Sequence, residues 1–207
     1  MSTESTESPV LNLPLPEIEY QARQRLARVP ITQPPGLVGR LIGWTSRTML
    51  GKEADNGYAM AHNPRVLFAT LMFERRVQKF RALDPMLHSL AVMTVAVDIG
   101  CSWCVDFGYF AANKDGLDLA KLQHVTQPAW AGYSDTERRV IEFARDATAT
   151  PAQVSDELVA ALRAELGDKA LVELTMMVAI ENERSRFNAA LGLVSQGFSA
   201  SCRLPAR

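Results

Sequence analysis

Three features of the sequence predict an all-α fold. Alanine, leucine, glutamate and arginine, all good helix formers, are plentiful, while aromatic residues make up only 7%. Apolar residues recur every three or four positions through most of the chain, as one buried face of a helix requires. No segment alternates strictly between apolar and polar residues, and no Asn-Gly or Asp-Gly pair lies between strand-like runs.

The elements follow in order. Residues 1–35 are expected to form a flexible arm, 36–200 a helical domain and 201–207 a short tail. The first part of the arm is rich in Ser, Thr, Glu and Pro, which leaves little apolar surface to bury. A short helix fits between Pro16 and Arg28, before Pro30, Pro34 and Pro35 punctuate the chain. Asn63-Pro64 reads as an N-cap followed by proline at the first helical position, with an expected buried stripe of Val66, Thr70, Phe73, Val77 and Phe80. Asp84-Pro85 opens the next helix in the same way, running through Leu87, Leu90, Val92 and Val95 to Gly100. Another begins near Cys101 and fades around Gly116. Ser134 and Glu137 have the spacing of a capping box ahead of Val140, Ile141, Ala144 and Ala147. Pro151 is expected to open a helix carrying Leu158, Leu162 and Leu166, which Gly167 ends. Asp168 then caps the last and longest helix, continuing to about Val194. Asp55-Asn56-Gly57 and Asp115-Gly116 are expected as loops.

Composition excludes several classes of function. At 207 residues the chain suits one domain that needs no disulfide or metal to hold its core. The formal net charge is −1, so nothing argues for nucleic acid or an anionic membrane as partner. The N-terminal MSTESTESPV lacks the charged and apolar regions of a signal peptide, and LAVMTVAVDIG is too short to span a bilayer. Cys101, Cys104 and Cys202 are an odd number, unlike a secreted disulfide framework. A reducing cytoplasm is therefore expected, where a close cysteine pair is more often catalytic or metal-binding than structural.

Chemistry concentrates in Cys101-Ser102-Trp103-Cys104. Two cysteines three positions apart lie one helical turn from each other, close enough to form a disulfide. Gly100 places the pair at the start of a helix, where free N–H groups and the helix dipole favour a thiolate. Other readings of the pair remain open. The cysteines can be buried structural residues. A zinc site would need further ligands, and only Cys202, His62, His88 and His124 are on offer, without a metal-binding spacing. Thioredoxin-like chemistry would need a βαβ pattern that the chain lacks. Cys202, in the tail, is expected to be a bystander. Trp103, Phe107 and Phe110 have the helical spacing of packed residues, the alternative being the lining of an apolar substrate cavity, and Asp106 faces away from the cysteine side with a structural role expected. Glu181, Asn182, Glu183, Arg184, Arg186 and Asn188 are expected to form a solvated helix surface with pairs such as Glu183–Arg186, the alternative being a wall of an active-site pocket.

The segment IGCSWCVDFGYFAANKDGL and the C-terminal block ELTMMVAIENERSRFNAALGL resemble the carboxymuconolactone decarboxylase family, in particular its alkylhydroperoxidase AhpD-like branch. The resemblance spans roughly residues 60–200. It implies an AhpD-like helical bundle that assembles as a trimer or hexamer and acts as a thiol-dependent peroxidase or disulfide reductase. It also implies that Cys104 attacks the peroxide and Cys101 resolves it, with a thiol or lipoyl-type reductant and no bound cofactor. The chain departs from the family's proton relay at two places. The histidine expected four residues after the second cysteine is Gly108, and the glutamate expected twelve residues before the first is Ser89. His88, Asp98 and Asp106 lie nearby without matching the motif, and His88 is the candidate for a substitute base.

Three functions are thus compatible with the sequence. The first is a thiol oxidoreductase reducing peroxides or disulfides, weakly active for want of the relay. The second is a non-redox, carboxymuconolactone decarboxylase-like enzyme acting on a small carboxylate or lactone. The third is a non-catalytic helical oligomer.

Overall fold

Helices begin where the sequence supplies a cap. The computed structural model describes residues 12–201; the expectations for residues 1–11, for 202–207 and for Cys202 lie outside them. Among the described residues the elements are α1 (Tyr20–Leu26), α2 (Gly36–Leu50), α3 (Asp55–Ala61), α4 (Pro64–Val77), α5 (Pro85–Ile99), α6 (Ser102–Lys114), α7 (Leu119–Gln123), α8 (Asp135–Thr148), α9 (Asp156–Ala190) and a closing 3-10 turn, Ser199–Ser201. The fold is all-α, as predicted. Asn63 and Asp84 accept hydrogen bonds from the first free N–H groups of α4 and α5, each with proline at its first position. Ser134 and Glu137 form the reciprocal capping box of α8. Gly167 leaves helical geometry at φ 76° and breaks α9 where the sequence indicated.

The centre of the bundle is α5. It is apolar on nearly every side and buries Leu87, Leu90, Ala91, Met93, Val95 and Ala96, as a helix surrounded by others must. One layer of the core joins it to Val140, Phe143 and Ala144 of α8 and to Leu158, Leu162, Leu174 and Val178 of α9. A second layer gathers Trp103, Val105 and Tyr109 of α6 with Leu119, Leu122, Val125, Tyr133 and Phe198.

Four expectations need correction. Asp55-Asn56-Gly57 is not a loop but the first turn of α3. Tertiary contacts override the local turn signal there: the Arg23 Nε donates to Asp55 at 2.7 Å, and the Asp55 N–H donates to Gln196 Oε1 at 2.9 Å. The stripe assigned to α4 is displaced, because Leu67 and Val77 are buried while Val66, Phe68, Leu71, Met72 and Phe73 are exposed. The helix expected from Pro151 starts at Asp156, since Ser155 caps it by accepting from the Leu158 N–H at 3.1 Å. The last helix ends at Ala190 instead of near Val194. Gly192 turns the chain there with φ 68°, and any Cβ would lie 2.2 Å from the Leu26 carbonyl oxygen.

After that turn the chain runs back across α6, and Asp106 holds it. The Asp106 carboxylate is fully buried. It accepts from the backbone N–H groups of Gln196 (3.0 Å), Phe198 (3.0 Å) and Ser199 (2.8 Å), and from the Ser199 hydroxyl (2.7 Å). The same strand of chain binds the N-terminal arm. Leu15 N–H donates to the Ser199 hydroxyl at 3.0 Å, and Ser195 Oγ donates to the Pro16 carbonyl at 3.1 Å. Residues 12–35 of the expected arm therefore lie packed on the body, with Leu13 and Ile31 buried. Hydrogen bonds to a charged group contribute roughly 1.5–3 kcal/mol each and leave costly orphans when lost. Asp106→Ala is expected to destabilise the protein by about 3–5 kcal/mol, measured by urea unfolding, and to open residues 191–201 to limited proteolysis.

Candidate active site at the Cys101–Cys104 pair

The site is built by the turn between α5 and α6. Gly100, at φ 79°, stops α5, and the N–H groups of Gly100 and Cys101 close back onto the carbonyls of Val97 (3.0 Å) and Ala96 (2.9 Å). The next helix starts at once, with Cys101 as its N-cap. Cys101 Sγ accepts from the Cys104 backbone N–H at 3.2 Å, and the two sulfurs form a disulfide with Cα atoms 5.3 Å apart. This is ordinary spacing for such a bond. Both sulfurs therefore sit at the positive end of α6, where negative charge on sulfur is stabilised. Cys104, at 6% exposure, is the more accessible of two nearly buried residues; Cys101 is 1% exposed.

A hydrogen bond from another helix reaches the sulfurs. Asn188 of α9 donates its Nδ2–H to Cys104 Sγ at 3.3 Å. One and two turns earlier on the same face lie Ser185 and Glu181, also buried, with Ser185 Oγ donating to Glu181 at 2.8 Å. Arg184 donates to the other Glu181 oxygen at 3.3 Å and grips Glu74 of α4 through Nε (2.8 Å) and Nη2 (2.6 Å). The polar cluster of α9 is thus not simply a solvated surface. Glu181, Ser185 and Asn188 face inward, and the ion pairs formed are Arg184–Glu74 and Arg184–Glu181 in place of the expected Glu183–Arg186. Polar residues spaced four and three apart on an otherwise apolar helix were the signal, masked by the charges between them.

The substitute base is not brought to the thiols. His88 lies in the first turn of α5, whereas the pair follows that helix's last turn. Met93 of α5 packs on Gly108 of α6, so His88 and Cys104 diverge from that contact in opposite directions, by roughly 13 Å at 1.5 Å per residue. Burial, and then the charge of Arg184, hold the imidazole below its ordinary pKa. Gly108 is open to a Cβ, which would meet only the Met93 methyl at 3.5 Å, so Met93 fills the space that a relay histidine would need. Trp103, Phe107 and Phe110 pack with Phe198: Trp103 stacks on Phe107 at 5.2 Å, and Phe198 meets both edge-on at 5.7 Å. Two surface recesses, one around Arg23, Asp55 and Tyr58 and one around Leu50, Phe110 and Phe198, are lined by neither cysteine. Among the described residues no three His, Cys, Asp or Glu side chains lie together as metal ligands would. No helix among them is long and apolar enough to cross a membrane.

Burial pushes the Glu181 carboxyl up to about 7, against the lowering effects of Arg184 and Ser185. The folded protein therefore holds this proton more tightly than the unfolded chain, and stability falls as pH rises from about 4.5 through about 7. Glu181→Gln is expected to remove on the order of 2 kcal/mol of that fall. Urea midpoints of wild type and variant at pH 5 and pH 8 measure it.

No protein-family model matches the chain. It is 30% identical over 180 residues to the uncharacterized protein YnjA of Escherichia coli K12, covering 85% of this chain and 96% of YnjA. Among solved structures, an uncharacterized peroxidase-related protein from Silicibacter sp. TM1040 superposes with a TM-score of 0.73 at 16% identity, covering 84% of this chain and 94% of its own. The debrominase Bmp8 gives 0.68 at 18% identity over 91% and 96% of the two chains. An Agrobacterium tumefaciens protein of unknown function, proposed as the antioxidant defence protein AhpD, gives 0.60 at 20% identity over 72% and 97%. The chain belongs to the same family as YnjA and carries the AhpD-like helical fold of the carboxymuconolactone decarboxylase group that its cysteine segment resembles.

Proposed function

We propose that the protein is a cytoplasmic thiol-dependent oxidoreductase that reduces a small hydroperoxide, or a disulfide, through Cys101 and Cys104. The observation that carries this reading is the Cys101–Cys104 disulfide at the N-terminus of α6, with a backbone N–H on one sulfur and the Asn188 amide on the other. A pair so placed has the donors a thiolate needs and a partner close enough to close the bond. The AhpD-like and peroxidase-related neighbours support the same class of chemistry.

In the reaction the Cys104 thiolate attacks the terminal oxygen of a hydroperoxide. The S–O bond forms, the O–O bond breaks, and the departing alkoxide or hydroxide takes a proton from water. Cys104 is then a sulfenic acid. The Cys101 thiolate displaces its hydroxyl, which leaves as water on protonation, and the disulfide results. A dithiol reductant of lipoyl type restores the two thiols by exchange and is itself oxidised to a disulfide. Cys104 is assigned the attack from the family resemblance, in keeping with its being the more exposed residue of the pair and Cys101 the N-cap.

With glycine at 108 and serine at 89, no side chain at the relay positions accepts the thiol proton or delivers one to the leaving oxygen. Such assistance contributes about 10²–10⁴-fold. Peroxide consumption with a dithiol reductant is expected to be slow near neutral pH, to rise between pH 6 and 9, and to vanish in Cys104→Ser. Activity surviving Cys104→Ser would end the thiol mechanism. Gly108→His combined with Met93→Ala, which clears the space, is expected to raise the rate near pH 7. The non-redox alternative requires turnover of a carboxylate or lactone that is indifferent to both cysteines, so the same variants decide against it.

The proposed assembly is a trimer or hexamer. Exposed Leu37, Leu41, Trp44 and Met49 on α2, with Phe68, Leu71 and Met72 on α4, form more bare apolar surface than a monomer usually leaves. Light scattering is expected to give a multiple of 22.8 kDa, and Trp44→Glu with Phe68→Glu to shift it to the monomer.

A further inference from the structure

Asn188 is 2% exposed, and only half of its amide is used. Nδ2 donates to Cys104 Sγ at 3.3 Å, while Oδ1 is buried with no hydrogen-bond partner. A buried acceptor left unpaired costs about 1–3 kcal/mol, so its presence beside a reactive sulfur requires a reason. The disulfide supplies one. In that state Cys104 has no hydrogen to give. Reduction creates an S–H at this sulfur, and the orphan oxygen belongs to the same planar group that already touches it. An amide carries a donor and an acceptor at nearly equal reach, and a turn about its last torsion exchanges them with little change of shape. It can therefore hold a thiol through Oδ1 and a thiolate through Nδ2.

We propose that Asn188 is a catalytic residue of the thiol site, stabilising the Cys104 thiolate through Nδ2 and accepting the S–H of the reduced, protonated form through Oδ1. This rests on the thiol reading above. It assigns to a neutral donor on α9 part of the work that Gly108 and Ser89 leave undone. On ionisation the thiol proton passes to solvent, since an amide does not keep it, and the thiolate remains bound by Nδ2–H. The charged groups facing this part of α9 are Glu181 and Arg184 on the same helix and Glu74 on α4, with His88 of α5 near Arg184. The Asn188 hydrogen bond reaches Cys104 Sγ from a side chain on another helix.

The test uses Cys101→Ser, which leaves a single thiol in the pair and keeps a good N-cap. The pH dependence of Cys104 alkylation by iodoacetamide gives its ionisation midpoint. Asn188→Ala is expected to raise that midpoint by about one pH unit, and Asn188→Asp, nearly identical in shape but negatively charged, by more. In the otherwise native chain, Asn188→Ala is expected to slow peroxide consumption at pH 7 about tenfold, with recovery above the new midpoint. An unchanged midpoint in both variants, with the rate lowered equally at every pH, would overturn the proposal and leave Asn188 a packing residue. Should Asn188→Ala fail to fold, the near-isosteric Asn188→Leu, which lacks the donor and adds no charge, decides by the same measurement. Failure here is distinct from failure of the thiol reading, which shows itself as activity persisting in Cys104→Ser.

Discussion

The carboxylate of Asp106 is the contact on which the rest of the structure depends. It sits in the second turn of α6, buried, and gathers the backbone N–H groups of Gln196, Phe198 and Ser199 from the returning C-terminal segment. A charge in that position is tolerable only if its lone pairs are filled, and the 196–199 turn fills them. With the turn held, Gln196 becomes a buried junction. Its Oε1 accepts from Asp55 N–H and from Trp103 Nε1, each at 2.9 Å, and its Nε2 donates to the Glu53 carbonyl at 2.9 Å. Asp55 in turn secures Arg23 of the arm. One carboxylate thereby ties together α1, α3, α6 and the end of the chain.

That clasp also determines what the cysteines can do. Ser195 N–H donates to Ser102 Oγ at 3.3 Å, so the first residue of α6 is pinned between the two sulfurs. Trp103 is held from one side by Gln196 and packed by Phe107 and Phe198 on the other. The N-terminal turn of α6 is thus rigid on its outer face. Its inner face meets α9, where Asn188 touches Cys104. Closing a disulfide across one helical turn needs little backbone movement, and rigidity of this kind favours the intramolecular bond over capture of another thiol. The helix dipole and two N–H donors stabilise charge on sulfur but move no proton. On the proposed thiol chemistry, such a site favours the thiolate and does little for a proton transfer.

Much of the fold was legible because its signals are local. Asn63-Pro64, Asp84-Pro85, Ser134 with Glu137, and Gly167 each act within a turn or two, and the structure uses all of them. The cysteine pair at a helix start was legible for the same reason. What was hidden depends on partners far away in sequence. Asp55 starts a helix only because Arg23 and Gln196 satisfy it, 32 and 141 positions distant. The stripe on α4 was misplaced because that helix leaves many apolar side chains exposed, so apolar spacing did not mark its buried face. Asn188 was lost among charged neighbours, although its spacing from Ser185 and Glu181 follows one helix face.

Arg184 connects α4 to the polar buried face of α9, beside the packing of Val77 on Met177 and Ile180. Arg184 reaches from α9 to grip Glu74, on the helix that carries Phe68, Leu71 and Met72 to the surface. The same guanidinium holds Glu181, on the face that ends at Asn188 and Cys104. A bidentate Arg–carboxylate pair fixes orientation as well as distance. Glu181, which burial leaves half protonated near neutral pH, lies on that line of contact. Arg184 lowers its pKa and Glu74 raises it, so the two partners of this contact act on Glu181 in opposite directions. Arg184 thus ties α4 to the face of α9 that reaches Cys104, whereas the outer face of the site is held by the 195–199 segment that Asp106 fixes.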